Sequence, residues 1–269
     1  MELRPTTPDD LPELHSVFSD AVRSVFQPHG FDAPAPSLEA FANLQEHVRV
    51  TGTSMVAVDD SRVVGFGSAW TRDDHWFLAS LFVSPTAQGR GVGPVLLDAV
   101  WGDAGHRLTI TDSIQPVSNV LYGRRGLIPA TPVLTFTGVP AIDAGGVESE
   151  ADLAAIDRAA YGFDRAVDHR LWASVARRTT WGDAYSYVFP NGDIGPVAGL
   201  TEEAAAEALA SELARTTGPI RVRVLGSART LVEVALRARL RLGPVPGFLL
   251  VSRGLEAPRA LAPSGYLLY

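Results

Sequence analysis

The chain has 269 residues, room for one large domain or two ordinary ones, with 46% hydrophobic and 20% charged residues, the balance of a packed globular protein. It has no Cys, which excludes disulfides, thiolate metal sites and a Cys nucleophile. The net charge of −7 argues against a general nucleic-acid binder and suits a cationic acceptor such as an amine.

In chain order, the start "MELRPTTPDDLPELHS" is polar and acidic, unlike a secretory signal, and no apolar run reaches the length of a membrane span. A soluble, cytoplasmic protein without membrane contact is the expectation. The first predicted helix covers "TPDDLPELHSVFSDAVRSVF", with Thr7 as cap, Pro8 at the first position, and Asp9 and Asp10 at the positive end of the dipole. Leu11, Leu14, Phe18, Val22 and Val25 follow at helical spacing. A segment rich in Pro and Gly, "QPHGFDAPAPS", leads to a second helix around Leu38 to Val48.

Three strand-like runs follow, "SMVAV", "RVVGFGSAW" and "HWFLASLFV", separated by Asp59-Asp60 and by "TRDD" as hairpin turns would separate them. Then come the glycines of "QGRGVGP", a helix from about Pro94 to Trp101, a strand "RLTITD", a helix over "VSNVLYGRR" and a strand "PVLTFTG". Hairpins first and crossovers later give an α/β pattern.

"GVPAIDAGGVESE" reads as a linker, and beyond it the same order of elements recurs. Helices are expected over Glu150 to Ala160 and Asp168 to Ala176, and strands "YSYVF" and "DIGPVAGL" flank the turn Pro190-Asn191-Gly192. A helix Glu202 to Ala214, a strand "PIRVRVL", a helix Thr230 to Leu240 and a strand "FLLVS" complete the repeat. The chain therefore reads as a diverged internal duplication, with one domain over 1–138 and a second over 139–269.

Gly89, Gly91 and Gly93 stand immediately before a helix. A helix N-terminus offers unpaired N–H groups and a partial positive charge, and glycine lets a phosphate reach them. A tight strand-to-helix turn would use the same glycines. Neither G-x-G-x-x-G after a first strand nor G-x-x-x-x-G-K-[ST] is present, which weakens a nucleotide-binding reading.

The surrounding residues narrow the choice. "LFVSPTAQGRGVGPVLL" resembles the acetyl-CoA signature of the GNAT superfamily of N-acetyltransferases, a strand ending V-x-P followed by [Q/R]-x-x-G-x-[G/A]. Val83, Pro85, Gln88, Gly91 and Gly93 occupy its defined positions. "QPVSNVLYGRRGLIPA" is similar to the family's N-x-x-A-x-x-L-Y-x-x-x-G-F, with Gln115 in place of the Asn and Ser118 in place of the Ala. The resemblance covers roughly residues 1–138. It implies two tandem GNAT-like domains, each a mixed, mostly antiparallel sheet flanked by helices, with the second degenerate.

The resemblance further implies acetyl-CoA as co-substrate. Backbone groups of Leu81, Phe82 and Val83 would hold the pantetheine arm like an added strand. Amides from Gln88, Gly89, Arg90, Gly91, Val92 and Gly93 would hold the pyrophosphate. Tyr122 matches the family tyrosine that can protonate the departing thiolate, and Asn119 lies near enough in sequence to contact the cofactor. An acetyl group would pass directly to a primary amine of a small acceptor. Some relatives carry a basic Glu early in the fourth strand, where Phe77 stands here. Asp112, at the end of "RLTITD", is a candidate base or amine-binding group, as are Asp73, Asp74 and His75. The segment "PHGFDAP" and Trp76 are candidates to line the acceptor pocket.

The six His show no metal-binding spacing, and no metal is expected. The second half has no Q-x-x-G-x-G, and Thr201, Glu202 and Glu203 open its corresponding helix, so it is expected to bind no coenzyme A. It would shape the acceptor site or form an oligomer contact, a homodimer among them, and the apolar tail "APSGYLLY" would dock on a sheet or a neighbouring subunit. Two other readings stand beside this one. One is a non-catalytic acyl-CoA sensor. The other is a tandem enzyme similar to mycothiol synthase, in which the C-terminal half is expected to be the active one.

Overall fold

A computed structural model describes residues 1–33 and 36–269. Pro34, the last residue of the segment "PHGFDAP" expected to line an acceptor pocket, and Ala35 after it lie outside the described residues. The chain divides into two compact units, one of residues 1–109 and 114–125, the other of residues 110–113 and 126–269.

In the first unit, β1 (Glu2–Pro5) precedes α1 (Leu11–Phe26) and α2 (Leu38–Thr51). Thr7 does not begin α1 directly. Pro8–Asp10 form a 3-10 turn, and the Asp10 carboxylate accepts from the Thr7 N–H (2.7 Å) and hydroxyl (2.8 Å). The hairpins β2 (Gly52–Asp59), β3 (Arg62–Arg72) and β4 (His75–Val83) follow, then α3 (Val92–Val100), β5 (His106–Asp112) and α4 (Pro116–Gly123). The three predicted strands and their turns are present. β1, whose residues alternate with a proline at the end, is an element the sequence pattern did not announce.

Strands β1 to β4 pair antiparallel in chain order, and β5 pairs parallel with β4. Alternation along β2 sends Val56 to a core with Leu14 and Val17 of α1, Phe41 of α2 and Phe66. Its neighbour Ala57 goes to a second core, with Val92 and Leu96 of α3. The sheet is thus covered on both faces.

β6 (Ile128–Gly138) closes the first half in sequence but belongs to the second unit. There the repeat continues with α5 (Leu153–Ala160), α6 (Ala166–Val175), β7 (Arg177–Thr180), β8 (Ala184–Val188), β9 (Asp193–Gly199), α7 (Glu202–Arg215), β10 (Ile220–Leu225) and α8 (Arg229–Arg237). It ends with β11 (Arg241–Leu242), β12 (Gly247–Val251) and β13 (Leu261–Ala262). β7 pairs with β8 and β8 with β9, both antiparallel, and β9 pairs parallel with β10, as β4 does with β5. β10 then pairs antiparallel with β6, and β6 in turn with β12. The sheet of the second unit is therefore completed by a strand from the first half of the sequence. A division at residue 138 follows the repeat of elements, and the compact units follow the strand pairing.

The tail docks within its own unit. β13 pairs with β9, Leu268 and Tyr269 are buried, and the Arg165 guanidinium donates to the carbonyls of both. Around it, Asp157 accepts from Tyr185 Oη (2.7 Å) and meets His169 Nε2 (3.0 Å), and Arg165 Nε pairs with Asp168 (3.2 Å). Buried charges of this kind persist only when paired.

Candidate active site at the end of the fourth strand

β4 and β5 pair only from His75↔His106 to Leu78↔Thr109, where Thr109 Oγ1 donates to Leu78 O (3.0 Å). Past that point, Ile110–Ser113 belong to the second unit. On its other side β4 keeps its ladder with β3, in the register Gly67↔Leu81, Phe66↔Phe82 and Gly65↔Val83. One residue interrupts that ladder. Ser68 faces Ser80 and Ala69 faces Leu78, so Ala79 is an extra residue in β4, a β-bulge. The side chains report it: Trp76 Nε1 donates to Val100 O at the end of α3 (3.0 Å), whereas Ser80, four residues on, bonds to α2 on the opposite face.

The strand runs into Ser84–Gly91. The Ser84 carbonyl accepts from the amides of Ala87 (2.9 Å) and Gln88 (3.1 Å), and the Gln88 side chain donates to Val83 O (3.1 Å). Gln88 thus shapes the loop, and its backbone N–H is already used inside it. Gly89 and Gly91 adopt φ of +76° and +83°, which side chains disfavour, and an added Cβ at either would meet nothing within 4 Å. The helix α3 begins at Val92, two residues before the predicted start, so Pro94 sits inside its first turn, where a missing N–H costs no bond. No side chain caps it. A Cβ on Gly93 would lie 3.8 Å from Val83 Cγ2 and 3.9 Å from Leu121 Cδ2, which places the start of α3 beside β4 and α4.

Leu81 and Val83 pack toward α3, and Phe82 toward α1, where it meets the Phe18 ring edge-on at 5.0 Å. Arg90 extends outward to Asp59 (3.4 Å). Asn119 Nδ2, in α4, donates to the carbonyl of Gln115, the residue that precedes that helix (2.8 Å). Tyr122 is buried beside Ser118, its hydrogen-bond partner, and burial raises its hydroxyl above the usual phenol range, so it keeps its proton at neutral pH. Phe77 is fully buried and stacks on Trp70 at 5.0 Å.

Residues 12–126 match the family model described as the acetyltransferase (GNAT) family. The chain carries a GNAT acetyltransferase domain. No match emerges among curated proteins. Over the whole chain, a Pyrococcus horikoshii protein named as an acetyltransferase shares the fold with a TM-score of 0.79 at 18% identity, covering 100% of this chain and 95% of that one. A GCN5-related N-acetyltransferase from Sphaerobacter thermophilus follows at 0.64 and 15%, covering 96% and 98%. A tandem GNAT protein from the clavulanic acid biosynthesis pathway follows at 0.57 and 14%, covering 93% and 98%. At these identities the likeness is one of fold. The mixed α/β architecture is that of GNAT proteins, a tandem one included.

Asp73, Asp74 and His75 stand at the opposite end of β4 from the loop, where Asp74 accepts from Gly105 N (2.7 Å). His75 is pushed below the usual imidazole range by burial and by His106. Trp76 is 1% exposed and part of the core. Asp112 belongs to the second unit, where it bonds to Tyr266 with Arg223 nearby, and burial raises its carboxyl to about 6. Two features escaped the sequence reading. The bulge at Ala79 carries no residue signature. Gln45 does, because it falls on the apolar stripe of α2 with Phe41 and Val48. Among the described residues no group of His, Asp or Glu could hold a metal, and no helix is long and apolar enough to cross a membrane.

Proposed function

We propose that the first unit transfers an acetyl group from acetyl-CoA to the primary amine of a small acceptor. The observation that carries this is the uncapped start of α3 behind Gly89 and Gly91, whose backbone is bare of side chains and set beside β4. An anion is favoured there by the unpaired amides and the helix dipole. The residues fit a diphosphate held by the backbone from Gly89 to Gly93, with Gln88 closing the loop behind it.

Acetyl-CoA supplies an activated acyl group. Strand β4 from Ala79 to Val83 can hold an extended arm by its backbone, and the bulge frees a peptide from the β3 ladder to face a carbonyl. As the amine nitrogen forms its bond to the acyl carbon and the carbon–sulfur bond breaks, Tyr122, protonated at neutral pH, gives its proton to the leaving sulfur. The amine proton leaves to water or to a base outside β4, since Phe77 removes the carboxylate from that strand.

The test combines thermal stability with acetyl-CoA and thiol release across a panel of polyamines, amino acids and aminoglycosides. A ligand at 100 times its Kd adds about 2.7 kcal/mol to the folded state. A shift together with amine-dependent thiol release supports the reading. Phe77 favours a second reading, acyl-CoA binding without transfer, for which the shift would occur and no amine would release thiol. Without a shift, the cofactor assignment fails.

A further inference from the structure

Gln45 is 1% exposed on the sheet-facing stripe of α2. A buried amide costs free energy unless both ends are bonded, so a helix that needed only adhesion would carry an apolar residue there. Here Nε2 donates to Ser80 Oγ at 2.9 Å, and Oε1 accepts from Ser68 Oγ at 3.4 Å. Ser68 and Ser80 are cross-strand partners on β3 and β4, 0% and 3% exposed, and Ala79 is the bulged residue beside them. On the side of β5, Thr109 Oγ1 holds Leu78 O. Leu78, Ala79 and Ser80 are thus fixed from α2, β3 and β5 together. Without the bulge, Ser80 would face α3 and could not reach Gln45.

We infer that Gln45 is a positioning residue for acyl transfer: by bonding Ser80 and Ser68 it holds the bulged segment of β4 so that its freed amide is aimed at the thioester carbonyl. This rests on the proposed acetyl-CoA site. Donors that stabilise a developing oxyanion act through preorganisation, and a preorganised donor needs a second layer that fixes it. The network Ser68, Gln45, Ser80 and Thr109 is that layer. The pyrophosphate cradle lies elsewhere, at Gly89–Gly93, so removing Gln45 separates carbonyl polarisation from binding.

The experiment uses the full chain and acetyl-CoA labelled with carbon-13 at the thioester carbonyl. Infrared difference spectra give the carbonyl stretch of the bound ligand, and calorimetry gives Kd for acetyl-CoA and for coenzyme A, which lacks the carbonyl. The wild type is expected to lower the stretch relative to free acetyl-CoA. Gln45→Leu, of similar volume, should lose most of that lowering, keep the affinity for coenzyme A, and reduce the acetyl-CoA to coenzyme A affinity ratio by about tenfold, the size of one hydrogen bond. Ser80→Ala carries the same expectation if Gln45→Leu does not fold. Ser54→Ala, which removes the buried Ser54–Thr6 hydrogen bond on β2, should leave the stretch as in the wild type. An unchanged stretch in Gln45→Leu and Ser80→Ala overturns the inference and leaves the acetyl-CoA site standing. Equal losses for both ligands would also overturn it, because they would mark a merely structural role. A wild type that binds neither ligand removes the site and the inference together.

Discussion

The two halves repeat one order of elements, and their corresponding helices begin in opposite ways. Between β4 and α3 the chain spends Ser84–Gly91, and α3 starts on a left-handed glycine with no cap. Between β9 and α7 it spends only Leu200 and Thr201, and the Thr201 hydroxyl accepts from Ala204 N (3.2 Å). Glu202 and Glu203 then occupy the first turn, and Glu202 also accepts from Thr230 N (2.7 Å), so one carboxylate serves the start of α8 as well. The later pair of helices differs too. Counted from the first residue of each, Ala235 of α8 stands where Tyr122 stands in α4. One fold therefore presents one end with donors left open and one with donors satisfied. A ligand site is made by what the protein leaves unbonded, and the fold alone does not decide it.

The comparison breaks first at Tyr122, where the largest effect is expected. Tyr122→Phe keeps the ring in its buried site and removes only the hydroxyl. Loss of a general acid costs on the order of 10²–10⁴ in rate, while acetyl-CoA binding should stay as in the wild type. A variant with undiminished thiol release would remove Tyr122 from the reaction and leave the two helices alike in chemistry. Next comes Gly91→Glu, which adds a carboxylate at the open end of α3 and so imitates α7. The stabilisation by acetyl-CoA, about 2.7 kcal/mol at 100 Kd in the wild type, should vanish. The variant's own fold should lose only about 1–2 kcal/mol, because a non-glycine residue must hold a positive φ there. A retained shift would show that the glycine loop is only a turn.

Much of this contrast was legible in the residues. The signature from Val83 to Gly93 located the loop, and Thr201-Glu202-Glu203 announced a capped helix, because cap and dipole preferences act within a few residues. Periodicity gave the hairpins β2 to β4 and most helices. What it could not give were relations between distant segments. The exchange that places β6 beside β10 depends on which of several similar apolar strands pairs with which. Short strands such as β1 and β7 owe their existence to a neighbour. The bulge at Ala79 is a matter of register, visible only once Ser68 faces Ser80. Gln45 was readable in principle, as a polar residue on an apolar stripe, but its partners were not. Asp112 shows the reverse case: its position at a strand end suggested chemistry, and the structure gives it a tyrosine from the far end of the chain.

Two carboxyls sharpen the contrast by pH. Asp10, in the first unit, is lowered to about 2 by Arg4, with the Thr7 bonds adding to the effect. Its stabilisation is present above the ordinary carboxylate range and is lost as pH falls toward 2. Asp112, in the second unit, is raised to about 6 by burial, against the opposing pull of Tyr266 and Arg223. Folding resists its ionisation, so its contribution worsens as pH rises from about 4 through 6. Asp112→Asn should therefore be more stable than the wild type at pH 8, by about 1–2 kcal/mol, and gain nothing at pH 4. Asp10→Asn should lose stability at pH 7 and approach the wild type near pH 2. Urea unfolding at the two ends of each range decides both signs. An Asp112→Asn variant equally stabilised at pH 4 would mean that its carboxyl is not opposed by burial.

The smallest effect tests whether capping alone closes the second site. Thr201→Ala removes one acceptor from the start of α7 and should cost about 1 kcal/mol, the usual worth of a cap. It should confer no acetyl-CoA binding. Adding Glu202→Gln and Glu203→Gln removes the repelling charges and weakens the acceptor for Thr230 N, yet binding should still not appear. The connection of Leu200 and Thr201 offers no loop to wrap an anion. A Cβ on Gly199 would also fall 2.5 Å from Ala205 N, so β9 lies directly against the first turn of α7. If the triple variant gained a thermal shift with acetyl-CoA, charge and capping would be the whole difference between the two ends. If it gained none, as expected, the length of the loop sets the site, and the glycines of α3 act only because Ser84–Gly91 gives them room.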